Sequence, residues 1–154
     1  MSDWKDLVDM APEELAQVKH NDPRLDAFAN AVEDRYGLPR GLVEAVKNAG
    51  ERSNTGQASP KGAKGVMQFI DSTRKAYPHD VNDPLASIDA AGQYFKDLIG
   101  KYGHPMAAIA AYNGGTAAGK RYLANQPLPS AETTNYINRI RGYMESKYGD
   151  GRKP

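Results

Sequence analysis

Between Pro84 and Tyr102 the apolar residues recur with helical spacing, and a proline opens the run while Gly103 closes it. Leu85, Ile88, Ala91, Phe95, Leu98, Ile99 and Tyr102 fall on one face, an arrangement that a helix can bury and a strand cannot. The same punctuation recurs along the chain. Ser2 reads as a cap for a short helix carrying Trp4, Leu7 and Val8, and Pro12 with Glu13 and Glu14 reads as the first turn of a second. Asp22-Pro23 opens a third, which carries Leu25, Phe28, Ala29, Val32 and Tyr36 and stops at Gly37. From Pro39, residues Leu42, Val43, Val46 and Ala49 predict a helix that ends near Gly50-Glu51. A further helix starts at Pro105 with Met106, Ile109 and Ala110, and a last one carries Tyr136, Ile137, Ile140, Tyr143 and Met144. Alternating strand patterns are scarce. The polar stretch from Arg52 to Lys64 reads as a loop or a small irregular hairpin on the rim of a cleft. With 154 residues, 40% of them hydrophobic, the chain has material for one core. The expectation is a mainly α single domain.

Four short segments carry the chemistry. The first is Gly50-Glu51-Arg52-Ser53, and close behind it comes Ser59-Pro60-Lys61-Gly62-Ala63-Lys64-Gly65-Val66-Met67-Gln68. Farther on stand Ala111-Tyr112-Asn113-Gly114-Gly115 and Glu132-Thr133-Thr134-Asn135-Tyr136-Ile137. One carboxylate beside a glycine-rich polar turn is a way to build a glycan-cleaving site around a single acid. The first three segments alone have plainer readings: a surface glutamate, a core methionine beside an exposed amide, a helix C-cap. In this order and rough separation, the set resembles the lytic transglycosylases, whose catalytic domain is related to goose-type lysozyme.

The resemblance runs from about Tyr36 to Tyr148. It implies a lysozyme-like fold with residues 1–35 as an N-terminal helical extension, 36–148 as the catalytic domain and 149–154 as a flexible tail. It also implies a reaction on the glycan strands of peptidoglycan, without metal or cofactor. Cleaving a glycosidic bond needs a proton on the leaving oxygen, so the acid must stay protonated near neutrality although a free glutamic acid titrates at roughly 4.3. A helix C-terminus and apolar neighbours would both raise the pKa of Glu51. The common glycosidase uses two carboxylates, but no second acid stands in an obvious partner role, and Asp71, Asp80 and Asp83 read more simply as caps or turn residues. In the family the lone glutamate protonates the bond and then accepts a proton from the C6 hydroxyl of the sugar, which closes a 1,6-anhydro ring.

That role falls to Glu51, with Ser53, Met67, Gln68, Tyr112, Asn113 and Tyr136 as substrate-binding residues and Gly62, Gly65, Gly114 and Glu132 in support. The tyrosine of the fourth motif reaches toward the glutamate in the family, and Tyr136 takes that place here. One departure stands out: the family usually has serine directly after the glutamate, whereas Arg52 intervenes here and Ser53 follows. Arg52 would then be free to meet a carboxylate on the peptide stem. The alternatives are a hydrolase of the same fold, in which water attacks, and a non-catalytic glycan-binding module of a virion.

Charge and composition narrow the partners. A net charge of +1 without a basic stripe argues against nucleic acid, and the tail Gly151-Arg152-Lys153-Pro154 reads as solvated. No run is apolar enough to span a bilayer, and Met1 to Asp6 lacks the pattern of a secretion signal. A soluble wall-cutting enzyme then reaches its substrate from a phage particle, by a lysis pathway, or through an export segment outside this chain. The phage route is favoured, with delivery to the periplasm or wall and other virion proteins as partners. Cysteine is absent, which leaves the redox compartment open. His20, His79 and His104 show no metal-ligand spacing, and nine tyrosines exceed what a small helical core needs, so some are expected to line a carbohydrate groove.

Overall fold

In the computed structural model, residues 4–149 are described, and the reading of Ser2 as a cap and of residues 150–154 as a flexible tail lie outside them. The chain runs through α1 (Lys5–Val8), α2 (Pro12–Leu15), α3 (Pro23–Tyr36) and α4 (Leu42–Ala45), which widens without a break into a π-helical turn, Val46–Glu51. Then come α5 (Asp71–Ala76), α6 (Pro84–Tyr102), α7 (Pro105–Gly114), α8 (Thr116–Leu123) and α9 (Ala131–Tyr148). Among the described residues there is no extended strand. The molecule is mainly α, as the periodicity predicts.

The helix ends follow local chemistry. Asp22 accepts from the amide of Arg24, Asp83 from those of Leu85 and Ala86, and each precedes a proline that needs no partner. Gly37 (φ 66°) ends α3 in the left-handed region, and Leu38 N–H closes back onto Glu33 O at 2.9 Å.

α6 packs on α3 and α7, while α7 also lies against α8 and α9, and the π turn rests on α9. A side chain at Gly92 would sit 2.2 Å from Val32 Cγ1, so this glycine permits the close crossing of α6 over α3. The core is one cluster, and it takes in Leu7, Leu15, Val18 and Leu25 of the N-terminal segment together with Leu42, Val46, Phe95, Ile109 and Ile140. Trp4 meets Phe28 edge-on at 5.0 Å.

Two helices escape the sequence reading, α5 and α8. The inner face of α8 is made of Ala118 and Gly119, and a Cβ at Gly119 would lie 2.7 Å from Tyr102 Cε1. Small residues chosen for close approach leave no apolar stripe to read.

Residues 52–70 form the irregular lobe. Isolated antiparallel bridges pair Ala58 with Lys64 and Lys64 with Phe69, and Gly62 (φ 85°) and Gly65 (φ 82°) make the turns between them. His20 ties the N-terminal segment to this lobe, since its backbone N–H and its Nδ1 both lie 2.9 Å from Asn54 Oδ1.

Candidate active site

Glu51 stands at the end of a helix whose own placement is overdetermined. The buried carboxylate of Glu33 accepts from the amides of Gly41 (2.7 Å) and Glu44 (3.0 Å), which satisfies free donors at the start of α4 from a neighbouring helix. Glu44, also buried, accepts from Lys147, Tyr143, Tyr148 and Asn30. Burial opposes the charge on Glu44, but these donors together hold its carboxyl below the usual range. Lys47, fully buried, pairs with Asp26 at 2.6 Å, and burial draws its ammonium down. The π turn then re-aims the residues that follow Ala45, where a plain α-helix is the expectation from spacing.

Gly50 is required by what lies over it. A Cβ there would be 2.8 Å from Tyr136 Cζ and 2.9 Å from its hydroxyl. With only hydrogen in the way, buried Tyr136 crosses the helix end and its hydroxyl donates to Glu51 Oε2. Burial pushes the Glu51 carboxyl up to about 7, while the Tyr136 hydrogen bond and the Arg139 charge pull it down and the Glu132 charge pushes it up. Burial wins.

The carboxyl faces a cleft of about 660 Å³ between the irregular lobe and the helices. One wall is Ser59 to Lys61, Ala63, Gln68 to Ile70 and Ser72-Thr73, and the other is Tyr94, Ala111 to Asn113, Gly115 and Glu132. Tyr112 is braced by Phe95 at 4.8 Å and Tyr94 at 5.7 Å, and its hydroxyl donates to Met67 O. Asn113 lines the cleft, and its side-chain amide makes no hydrogen bond to another of the described residues, which leaves it open to a ligand. Tyr94 and Tyr112 are the tyrosines that reach this groove, whereas Tyr143 and Tyr148 serve Glu44.

Three sequence readings need correction. Met67 is fully buried in the core and offers no face to a sugar, because the lobe folds over it and only its carbonyl is used, by Tyr112. Ser53 turns its hydroxyl onto the backbone carbonyl of Glu51 at 3.0 Å and lies off the cleft wall, since Arg52 at φ 52° swings the chain away. Tyr136, expected among the substrate-binding residues, is 2% exposed and lies behind the cleft wall with its hydroxyl on Glu51, whereas Gln68 does line the cleft, its amide nitrogen donating to the carbonyls of Gly65 (2.8 Å) and Gln57 (3.2 Å).

The supporting glycines serve protein contacts. Gly65 sits where a Cβ would be 3.0 Å from Val81 O, and Gly114 where one would be 2.7 Å from Thr133 Oγ1. Gly62 turns the rim, with no atom near its missing Cβ. Asp71, Asp80 and Asp83 all lie outside the cleft, as first-turn, turn and cap residues. Glu132 is different: exposed and on the cleft wall, it is the second carboxylate of the site.

Sequence reasoning passes over Arg139, whose guanidinium donates to Ala49 O (2.9 Å) and Gly50 O (3.2 Å). Its signal is spacing, three residues beyond Tyr136 and so on the same helix face.

The family model of the transglycosylase SLT domain matches residues 27–135, so it begins within α3 and ends just before Tyr136. A transglycosylase of Enterobacteria phage PRD1 is 26% identical over 121 residues, 78% of this chain and 43% of the phage protein. The chain therefore spans less than half of that relative. Protein IpgF of Shigella flexneri is 29% identical over 140 residues, 84% of this chain and 89% of the relative. Given a family match over most of its length and a mainly α, lysozyme-like architecture, the chain belongs to the transglycosylase SLT domain family.

Proposed function

We propose that the protein is a peptidoglycan lytic transglycosylase that cleaves the MurNAc-β-1,4-GlcNAc bond without consuming water. The observation that carries this reading is a cleft carboxyl, Glu51, kept protonated toward neutrality by burial. Glu51 gives its proton to the glycosidic oxygen as the C1–O bond breaks. The C6 hydroxyl oxygen of the same MurNAc attacks C1, and its proton passes to the Glu51 carboxylate. The acid is restored, and the product is a 1,6-anhydro end. A pKa near 7 suits a group that must donate and then accept. Tyr136 orients the carboxyl, Tyr94 and Tyr112 give the sugars apolar surface, and Asn113 hydrogen-bonds them. Peptidoglycan digested by wild type is expected to carry anhydro ends, and Glu51→Gln to lose about a thousandfold in rate. An active Glu51→Gln would remove the assignment.

Glu132 favours a second reading. It lines the same cleft and is electrostatically coupled to Glu51, so it offers a base that could activate water. Hydrolytic ends that vanish in Glu132→Gln would select that mechanism. We favour delivery to the wall with a phage particle, a reading whose support is that one relative is a transglycosylase of a phage. Protease-resistant copies inside purified, washed phage particles would bear this out, and their absence would refute it.

A further inference from the structure

We infer that Arg139 is the positioning residue of the site, fixing Glu51 by holding the two carbonyls that precede it. The last carbonyls of a helix lack partners, and here the chain leaves the helix abruptly, with Arg52 at φ 52°. Arg139 Nε reaches Ala49 O at 2.9 Å, and its terminal nitrogen reaches Gly50 O at 3.2 Å. Its guanidinium also lies 5.7 Å from the centre of the Tyr136 ring. One side chain thus grips the backbone under Glu51 and the aromatic that hydrogen-bonds its carboxyl. The planar fork of arginine suits two adjacent carbonyls, and a lysine can hold only part of that arrangement.

The contact is electrostatic as well as geometric. Glu51 is faced by Tyr136, Arg139 and Glu132 from α9 and by Tyr112 from α7. Arg139 is the cation of this set, and its charge opposes burial and Glu132. Without it, the carboxyl holds its proton to higher pH. Arg139 does not line the cleft and acts through the placement of Glu51 and of Tyr136.

This inference rests on the reading of Glu51 as the acid, and its test separates the two. Carboxyl-carbon NMR titration of glutamate-labelled full-length protein follows Glu51 with no need of turnover, beside rates on purified peptidoglycan. Arg139→Gln is expected to titrate Glu51 at higher pH and to move the alkaline limb of the rate profile the same way. Its turnover should fall by roughly tenfold to a hundredfold at similar half-saturation. Arg139→Lys should bring the titration back toward wild type and recover part of the turnover. An Arg139→Gln protein that stays folded with unchanged titration and rate would overturn the inference. A rate loss matched only by a lower melting temperature, with no help from lysine, would overturn it equally. If wild type forms no anhydro ends, the lyase reading fails while the NMR titration still judges Arg139.

Discussion

A carboxyl whose pKa stands at about 7 instead of 4.5 leaves a mark on stability as well as on rate. Its folded pKa is raised, so folding is unpenalised below the unfolded value, loses stability as pH climbs between the two, and levels off above the folded value. The gap corresponds to about 3 kcal/mol. Glu51→Gln is therefore expected to match wild type in denaturant melts near pH 4 and to exceed it by up to that amount at pH 8, the usual sign of a residue strained for function. Equal stabilities at pH 8 would mean that the carboxyl is not withdrawn from water. Tyr136→Phe removes a hydrogen bond that favours the ionised form, so the alkaline limb of the rate profile should move upward and turnover should drop by about tenfold. Gly50→Ala forces the ring of Tyr136 aside and should depress activity more than it depresses the melting temperature.

The helix that ends in Glu51 and its π turn owe their position to charges placed behind them. Glu33 satisfies the first amides, the Lys47–Asp26 pair locks the middle, and Glu44 joins the helix to the end of α9 through Lys147, Tyr143 and Tyr148. Glu44→Gln leaves these donors and Asn30 with a neutral acceptor, and the unfolding free energy should fall by about 1–3 kcal/mol, measured by denaturant titration. Because the fold holds the Glu44 carboxyl low, that contribution is present above the ordinary glutamate range and fades as pH falls through the folded pKa. No loss at pH 7 would show that the donors find water as good a partner.

At the scale of the molecule, the helices with proline starts and glycine stops were legible because their punctuation is local and their apolar faces are wide. What escaped depends on distance in sequence. The widening of the helix before Glu51 answers to buried partners contributed by α3 and α9, and α8 hides its inner face in alanine and glycine. The motifs place Glu51, Tyr112 and Asn113 on one cleft and bring the Tyr136 hydroxyl to Glu51, but they mislead where burial decides, as for Met67 and for Tyr136 as a sugar contact. Glu132 shows the same limit from the other side, since its motif gives it a supporting role and nothing local says that this exposed helix-start carboxylate will face the cleft with Glu51. In the reaction proposed for this cleft the sugar's own hydroxyl, and not water activated by Glu132, attacks C1. Digestion of purified peptidoglycan in heavy-oxygen water, followed by mass analysis of the released ends, tests it directly. Anhydro ends one water lighter than hydrolysed ones and free of the heavy isotope are expected, and new reducing ends carrying it would rule that reaction out.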